Sequence, residues 1–500
     1  MRYLDLVAGV TTAHGEQVAV AGSGRHIRFD ELHDRTGRLG AALRGLGLQP
    51  GDRVALLAAN EPEYIEVQAA CLRSGFTLVP INVRLADPEI SFILSDCTPA
   101  VMIGGRTQHA RAAALAAQNG TVHTFGLGAP STVERYEDLL AAAVPDGAAD
   151  PTEPALTVLV LYTSGTTGRP KGAMIDRAAF TARVLVNCAE LKVGPTDVHL
   201  AALPMFHIAA FLAYAHTVVG ARVVMVPEFS PQACLATMSH EHVTTTVLVP
   251  TMLGMLLDSP ELASMPPRDL RQIVYGGAPI TPRLLARALD ELGCDMLQQY
   301  GMTESGASTV LRPVDHDLQD VQKLSSAGTE AVSFEVAVVD DSDRPVPPGD
   351  QGEVVCRAPS LMSGYWNRPD ATAEALRGGW MHTGDIGYRD ERGYLHITDR
   401  RNDMVITGGE NVYPREVETA LCEHPEVGDV AVLGMPDPTW GQVVTAVLVE
   451  PAPADDVLEQ WARDRLAGYK VPRRWVRVGE LPRNATGKVL KHELRAMLGG

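Results

Sequence analysis

The chain has 500 residues and a formal net charge of −18. Because this length exceeds the size at which a single core usually stops growing, we expect two or more domains. Hydrophobic residues make up 45% of the chain and charged residues 21%, as in ordinary globular proteins. The acidic balance argues against a general nucleic-acid binder or a protein of anionic membrane surfaces, since both carry basic faces.

The cysteines and the apolar stretches indicate a soluble protein in a reducing compartment. The seven cysteines are scattered and none forms a Cys-x-x-Cys pair, so neither a disulfide framework nor a zinc site is predicted. The N-terminus lacks the apolar core of a signal peptide. The most apolar stretch, 208–226, contains His216 and Arg222, and we interpret it as a buried helix followed by a strand. We expect a soluble cytoplasmic protein without integral membrane contact; a homodimer is compatible with the sequence.

Short apolar runs alternate with helix-like stretches in the first 330 residues. Segment 120–128 indicates a loop with an edge strand, and 145–154 indicates a surface linker. Strand candidates lie at 54–57, 156–162, 222–226, 244–249 and 272–275, and a helix is predicted over 61–73. This alternation favours a large N-terminal domain of layered α/β structure with mainly parallel sheets.

The pattern changes after about residue 330. Short alternating strands at 335–339 and 353–356, separated by a turn-rich segment, predict a small antiparallel β subdomain. The final hundred residues have an α+β pattern of their own, with helices from 414 and over 455–467 and strands flanking 436–440. A charged segment at 399–403 separates the two parts. We predict an N-terminal domain over 1–399 and a small, mobile C-terminal domain over 400–500.

The strongest local signal is the sequence YTSGTTGRPKG at 162–172. Its glycines let backbone N–H groups approach phosphate oxygens, its hydroxyls donate further hydrogen bonds, and Lys171 adds a positive charge. A P-loop NTPase would need Gly at 170 and Ser or Thr at 172, where this chain has Pro170 and Gly172. In isolation the string could also be a flexible surface loop.

Further motifs follow this loop in a set order. They are LPMFH at 203–207, YGGAP at 275–279, QYGMTE at 299–304, WMHTGD at 380–385, the segment 399–418, and PRNATGK at 482–488. Together they resemble the acyl-adenylate-forming superfamily of acyl-CoA synthetases, luciferases and peptide-synthetase adenylation domains. The resemblance covers nearly the whole chain and is closest in pattern to stand-alone acyl-CoA ligases. It implies formation of acyl-AMP and pyrophosphate from ATP, followed by transfer of the acyl group to coenzyme A.

The resemblance implies a role for each of four catalytic candidates. Glu304 matches the Mg²⁺ ligand, and a hard cation prefers such oxygen donors. Thr303 would bond the α-phosphate, and Lys488 would bridge that phosphate and the carboxylate. His207 would lie beside the reacting carboxylate. Outside their motifs these residues would be interpreted as a helix cap, a surface lysine and a core histidine.

The nucleotide site implied by the resemblance draws on most of the motifs. Asp385 would accept both ribose hydroxyls and Arg400 would contact the same ribose. The strand end at 276–278 would cover adenine on one face and Tyr300 on the other. The ATP-binding candidates are Thr163, Ser164, Gly165, Thr166, Thr167, Gly168, Lys171, Gly276, Gly277, Ala278, Gln299, Tyr300, Gly301, Met302, Thr303, Asp385, Arg400 and Lys488.

The C-terminal part carries the implied acceptor site and two departures from the family pattern. Gly408 and Gly409 resemble the loop that lines the pantetheine tunnel of CoA ligases, where glycine lets a thin thiol arm pass. The hinge position, usually Asp or Lys in the family, is Asn402 here, so the electrostatics of the hinge differ. Gln442 stands where Glu is common. Neither departure removes a required chemical role.

The expected partners are a small carboxylic acid, ATP with Mg²⁺, and coenzyme A, and no nucleic acid. CoA is the expected acceptor because no carrier or condensation domain follows Lys488. Loading of a separate carrier protein is the alternative, and a nucleotide-binding protein without turnover is a third interpretation.

The acid itself is expected to be hydrophobic. Residues near the expected acid pocket are small or apolar: Ile208, Ala209, Ala210, Ala278, Gly301, Ser305 and Gly306. No arginine stands in those segments to pair a second carboxylate, and an unpaired buried charge is costly. We therefore expect a fatty or bulky alicyclic acid instead of a malonate-type diacid.

Overall fold

The computed structural model of the chain describes residues 7–128, 133–145, 153–163, 170–278, 280–400, 403–407, 410–438, 440–483, 487 and 489–499. At 399, 400, 406, 410 and 411 it describes the backbone alone. Among the residues described, none of the helices combines the length and the apolar character needed to cross a membrane.

Strands and helices alternate through most of the chain. The strands are β1 Val18–Gly22, β2 Arg25–Arg28, β3 Arg53–Leu57, β4 Thr77–Pro80, β5 Val101–Gly104, β6 His123–Gly126, β7 Glu134–Arg135, β8 Thr157–Thr163, β9 Lys171–Asp176, β10 Val198–Ala201, β11 Arg222–Met225, β12 Thr245–Leu248, β13 Gln272–Gly276, β14 Asp295–Met302, β15 Gly306–Leu311, β16 Thr329–Glu330, β17 Glu335–Val339, β18 Gly352–Arg357, β19 Gly364–Tyr365, β20 Met381–Arg389, β21 Leu395–Arg400, β22 Val405–Thr407, β23 Glu410–Val412, β24 Val430–Asp437, β25 Gly441–Val449 and β26 Arg474–Val478. The α-helices are α1 Ala8–His14, α2 Phe29–Gly45, α3 Glu63–Ser74, α4 Asp87–Cys97, α5 His109–Gln118, α6 Tyr136–Ala141, α7 Arg177–Leu191, α8 Ala210–Val218, α9 Pro231–His240, α10 Pro250–Leu257, α11 Pro282–Leu292, α12 Val321–Leu324, α13 Pro369–Ala375, α14 Pro414–Cys422, α15 Asp455–Arg463 and α16 Lys491–Met497. Three short 3₁₀ turns lie at Pro260–Ala263, Pro313–Asp315 and Arg377–Gly379.

An eight-stranded sheet holds the hairpin on which the phosphate loop is predicted. Its strand order is β19-β9-β8-β4-β3-β5-β6-β7, and the pairs from β8 to β7 are parallel. The central strands are buried on both faces, which explains their continuous apolar runs. β8 and β9 form an antiparallel hairpin in which Thr163 pairs with Lys171, so both ends of the predicted loop are anchored in the sheet.

A nine-stranded sheet supplies the other wall of the site. Its order is β16-β15-β14-β13-β12-β10-β11-β1-β2, and the strands from β14 to β1 are parallel. Gly276 at the end of β13 pairs with Gln299 of β14, and a Cβ on Gly276 would lie 2.3 Å from the Gln299 carbonyl oxygen. Only glycine fits there, because any Cβ would overlap that backbone oxygen.

Two smaller sheets complete the molecule, as predicted. An antiparallel sheet, β17-β18-β20-β21, places Asp385 opposite Arg400. The C-terminal sheet, β23-β22-β25-β24, has β26 parallel to β25 and packs on α14 and α15 through a core of its own. The chain is thus a mixed α/β protein with a small antiparallel sheet and a C-terminal α+β unit, whereas its division at 399/400 stays a prediction.

Two local predictions were wrong. β6 does not lie at the edge of its sheet, because the two-residue strand β7 pairs outside it. The helix predicted over 455–467 ends at Arg463. The chain turns there and brings Lys470 back to α14, where its Nζ lies 2.6 Å from Oε1 of Glu416.

Candidate active site

A cleft of about 960 Å³ opens where the carboxyl ends of β12, β13 and β14 face the β8–β9 hairpin. Ten of the predicted site residues line it: Thr163, Lys171, His207, Gly276, Gly277, Gln299, Gly301, Met302, Thr303 and Glu304. Ala278 and Tyr300 are described next to it without lining it. The predictions for Ser164, Gly165, Thr166, Thr167, Gly168, Asn402, Gly408, Gly409 and Lys488 lie outside the described residues.

The predicted magnesium ligand is tied to the predicted phosphate lysine through a tyrosine. The Tyr365 hydroxyl donates to Oε1 of Glu304 at 2.8 Å. On the other side, Nζ of Lys171 lies 5.2 Å from the centre of the Tyr365 ring. Tyr365 is brought here because β19 pairs with β9, directly beside the hairpin. One side chain therefore contacts both an acidic and a basic candidate.

These residues suit Mg²⁺ held together with a nucleotide. Mg²⁺ is commonly bound by one or two carboxylates plus substrate phosphates and water, not by a full protein cage. Glu304 supplies one carboxylate, only 6% exposed, at the cleft wall. Among the residues described, no group of three or more His, Cys, Asp or Glu side chains is placed to hold a metal.

A buried arginine holds the loop that carries Thr303 and Glu304. Nη1 of Arg183 donates to the Thr303 carbonyl at 2.8 Å, and Nη2 donates to the Glu304 carbonyl at 2.9 Å. Nε donates to the Ser360 carbonyl at 2.8 Å. Burial lowers the pKa of Arg183 to about 10, so the group stays charged at neutral pH. Its donors point at three carbonyl oxygens, which fixes the backbone of the loop.

A short hydrogen bond joins Tyr300, predicted to cover adenine, to Asp385, predicted to bind the ribose. The Tyr300 hydroxyl donates to Oδ2 of Asp385 at 2.6 Å, and the Asp385 N–H donates to Oγ1 of Thr383 at 3.0 Å. Burial, together with Asp385, raises the pKa of Tyr300 well above its ordinary value, so Tyr300 remains a donor. The strand register places the Arg400 backbone directly opposite Asp385.

His207 faces the cleft as a neutral imidazole. Burial, together with the nearby positive charge of Arg84, lowers the pKa of His207 to about 4. Among the described residues, Nε2 of His207 has no hydrogen-bond partner although it is buried. An uncharged ring with one free nitrogen can donate to a carboxylate without adding a buried cation.

The acid side of the cleft is apolar but not uniformly so. Of the residues expected there, Ile208, Ala209, Gly301 and Gly306 line the cleft, while Ala210, Ala278 and Ser305 do not. Further walls come from Val186, Phe211, Leu212, Val247, Val274 and Phe334. The segments considered in the sequence contain no arginine, but Arg183 reaches this wall from α7, and its donors already meet carbonyl oxygens.

The C-terminal unit approaches the cleft at the residue before Lys488. Gly487 has φ +77°, and a Cβ built on it would lie 2.8 Å from Oγ1 of Thr251 and 3.8 Å from a methyl of Val249. Val249 lines the cleft and also lies beside Gly277. The backbone that leads into Lys488 is therefore docked at the edge of the site.

Sequence reasoning missed Arg183, Tyr365 and Asn187, which all line this cleft. Arg183 and Asn187 lie inside a helix, where nothing in the local pattern distinguishes them from ordinary helical residues. Tyr365 lies in the string GYWN, which could have been noted as a further motif.

The chain is similar to known proteins over almost its whole length. A family signature described as AMP-binding enzyme matches residues 8–366, and one described as AMP-binding enzyme C-terminal domain matches 416–488. A feruloyl-CoA synthase of an Amycolatopsis species is 39% identical over 498 residues, 96% of each chain. The fatty acid–[acyl-carrier-protein] ligase ScoC of Streptomyces coeruleorubidus is 36% identical over 500 residues, 96% of this chain and 93% of its own. The structure of ATP-bound MatB from Rhodopseudomonas palustris superposes with a TM-score of 0.90 at 31% identity, covering 99% of both chains.

Proposed function

Because this chain belongs to the AMP-binding enzyme family, we propose that it is an AMP-forming acid–thiol ligase that joins a carboxylic acid to coenzyme A through an acyl-adenylate. The observation that carries the proposal is the convergence of Lys171, Glu304 and His207 on one cleft. A carboxylate and a triphosphate repel one another, so a site that joins them needs fixed positive charge and donors on both sides.

Each candidate then has a task that its surroundings allow. The free Nε2 of neutral His207 donates to the carboxylate of the acid and aims it at the α-phosphate. The Thr303 hydroxyl bonds the α-phosphate, on a backbone that Arg183 holds in place. Lys171 meets the outer phosphates, and Glu304 holds Mg²⁺, which supplies neutralising charge to the phosphate oxygens. Asp385 and Arg400 bind the ribose, and Lys488 bridges the two reacting groups.

The proposed acceptor is coenzyme A, with Gly408 and Gly409 lining the path of its thiol. The named CoA synthase among the relatives supports this choice, whereas the named carrier-protein ligase supports the alternative acceptor. Attack of the thiol on the mixed anhydride needs no nucleophile from the enzyme. All seven cysteines are free, which suits the proposed cytoplasmic setting and leaves them without a catalytic task.

The products test this function directly. Purified protein is incubated with ATP, MgCl₂, CoA and a panel of carboxylic acids, and the nucleotides are separated by chromatography. We expect AMP and pyrophosphate in equal amounts and loss of both when EDTA removes the cation. ADP with inorganic phosphate would contradict the proposal.

A second assay separates the acceptors. The acid that gives the most AMP is offered with CoA, with a phosphopantetheinylated acyl carrier protein, or with neither. We expect thioester formation with CoA at the higher kcat/KM. Preference for the carrier protein would favour the alternative, and pyrophosphate exchange without any thioester would contradict both acceptors.

A further inference from the structure

Two carboxamide side chains meet in the largely apolar wall of the cleft that Arg183 also reaches. Nε2 of Gln299, on β14, donates to Oδ1 of Asn187, on α7, at 3.0 Å. Nδ2 of Asn187 donates to the Arg183 carbonyl at 2.8 Å. Both residues line the cleft, and Asn187 is only 6% exposed.

The orientation of both amides follows from these bonds. The Arg183 carbonyl can only accept, so the group of Asn187 that faces it is the NH₂. Oδ1 of Asn187 must then face Gln299, and the group of Gln299 that faces Oδ1 is its NH₂ in turn. Oε1 of Gln299 is left over, and within the described part of the chain no residue donates to it.

The amide pair and the predicted reacting end are both tied to α7. Arg183 bonds the carbonyls of Thr303 and Glu304, which the proposed mechanism places beside the reacting groups. Asn187 follows Arg183 by one helical turn, a rise of about 6 Å along α7. A separation of this order suits one aromatic ring with a substituent.

The walls between the two points suit a flat ring. Phe211 and Phe334 line the cleft, and the Arg183 guanidinium lies 5.5 Å from the centre of the Phe211 ring. Aromatic side chains favour offset or edge contacts with another ring, which adds to the area that a ring buries.

We propose that this enzyme selects an aromatic acid whose ring carries a hydrogen-bond donor, such as a phenolic hydroxyl, at the end away from the carboxylate. The donor bonds Oε1 of Gln299, which Asn187 holds in place. This inference rests on the proposed ligase function and names the substrate class of the same site. It replaces the expectation of a fatty or alicyclic acid, because a saturated chain would leave a polar oxygen dry and unpaired. The named relatives include both an aromatic-acid and a fatty-acid enzyme, so they do not decide the matter.

Three aryl acids of matched shape test the inference in wild-type protein: 4-hydroxycinnamic acid, unsubstituted cinnamic acid and 4-methoxycinnamic acid, with octanoic acid as the aliphatic comparison. Pyrophosphate release gives kcat/KM for each. We expect the hydroxy acid to exceed the other three by about 10- to 100-fold, the penalty for leaving one acceptor unpaired once the bound acid covers it from water. The methoxy acid matters most, because its oxygen accepts but cannot donate.

Variants then assign the preference to the amide pair. Gln299→Met and Asn187→Leu keep the approximate side-chain volume and remove the acceptor or its support. The kcat/KM for the hydroxy acid divided by that for the unsubstituted acid should therefore fall towards one. Gln298→Met is the matched control on the same strand, since Gln298 bonds Tyr275 and does not line the cleft. Its ratio should stay at the wild-type value. KM for ATP is measured in each variant, because Gln299 is also a nucleotide-site candidate.

The outcomes separate this inference from the function on which it rests. Equal use of the four acids by wild-type protein, or a preference for octanoic acid, would overturn the inference while pyrophosphate release still supports the ligase. A hydroxyl preference that survives both variants would also overturn it. No pyrophosphate with any acid would overturn both.

Discussion

Tyr365 joins two side chains that have separate tasks in the proposed reaction. Its hydroxyl orients the Glu304 carboxylate, and its ring lies under the Lys171 ammonium. Burial, reinforced by Glu304, raises the pKa of Tyr365 far above its ordinary value, so the hydroxyl is a donor at every pH of use. A carboxylate that is held in one orientation loses less freedom when it binds a cation.

Tyr365→Phe removes the hydroxyl and keeps the ring. We expect the Mg²⁺ concentration at half-maximal rate to rise by about 10-fold, the order of one hydrogen bond to a charged group, with KM for ATP nearly unchanged. Tyr365→Leu also removes the ring, so KM for ATP should rise as well. Mg²⁺ titrations of pyrophosphate release check both results. Tyr469→Phe, at an exposed position, is the control, and unchanged Mg²⁺ dependence in Tyr365→Phe would contradict this role.

At the scale of single elements, α7 connects the proposed acid-binding wall to the loop that carries Thr303 and Glu304. Arg183 extends from this helix to the carbonyls of Ser360, Thr303 and Glu304, which belong to segments more than a hundred residues away in sequence. No carboxylate lies among these three contacts, so the arginine acts as a fork of donors and not as half of an ion pair.

Arg183→Lys tests that interpretation. Lysine keeps the charge but cannot reach three carbonyls in fixed directions, so kcat should fall by about 10-fold or more as the Thr303 hydroxyl loses its position. KM for ATP should change less than kcat. Single-turnover pyrophosphate release measures the effect. Full activity in the lysine variant would show that charge alone suffices.

A buried histidine pair lies between β10, α8 and β12. Nδ1 of His216 lies 2.7 Å from the Leu212 carbonyl and therefore carries the proton. The Thr245 hydroxyl then donates to Nε2 of His216 at 2.9 Å and accepts from Nδ1 of His199 at 3.1 Å. The two rings stack at 4.3 Å. The bond from Thr245 requires an unprotonated Nε2 and therefore a neutral His216, and burial holds the pKa of His199 well below its ordinary value.

Acid should therefore destabilise the protein through this pair. Burial lowers the pKa of His216 to about 4, whereas an unfolded histidine titrates at about 6.5. At a pH between these two values, the unfolded chain binds a proton at His216 and the folded chain does not. The free energy of unfolding therefore falls as the pH falls. At pH 5 the loss from His216 should be about 2 kcal/mol relative to pH 8.

Urea unfolding of wild type and His216→Gln at pH 8 and pH 5 checks this value. The variant is expected to be less stable at pH 8 but to lose about 2 kcal/mol less on acidification. His242→Gln serves as a control because His242 is exposed and bonds Asp269 at the surface. An identical acid loss in wild type and His216→Gln would contradict the assignment.

At the scale of the whole molecule, the C-terminal unit docks through a glycine. Gly487 faces Thr251 with positive φ, so any side chain meets both a backbone penalty and a contact. In the proposed mechanism this docking brings Lys488 to the acid, and rotation of the unit brings Gly408 and Gly409 there for thioester formation.

Gly487→Ala should slow adenylation by about 10-fold, because left-handed backbone costs alanine roughly 1 kcal/mol and the Cβ adds a contact. Thr251→Ala in the same chain should restore part of the rate by removing the contacting oxygen. Lys488→Ala should lower adenylation by about 10²–10³-fold as a lost charge-stabilising donor.

Conversion of a supplied acyl-adenylate to acyl-CoA should be largely spared in all three variants. Stopped-flow measurement of each half-reaction separates these outcomes. An equal loss in both halves would contradict the two-position mechanism.

The sequence by itself determined the class of fold, the order of motifs and the family. Strands such as β3, β8 and β13 are buried on both faces, and such strands must be continuous apolar runs, so short apolar runs between helix-like stretches reveal them. The motif residues could be predicted because their chemistry depends on local strings: hydroxyls and glycines around phosphate, and a carboxylate next to Thr303.

Only the tertiary structure decided which side chains support those motifs. Arg183, Asn187 and Tyr365 lie far in sequence from the groups they contact, and their partners are backbone carbonyls, another amide and a carboxylate brought up by sheet pairing. The structure also decided where helices end: α15 ends at Arg463, and the chain that follows brings Lys470 to Glu416. A local sequence pattern reflects interactions between residues that are near one another in the chain. Hydrogen bonds and packing across the cleft join residues that are distant in sequence, so they depend on how the folded chain brings those residues together.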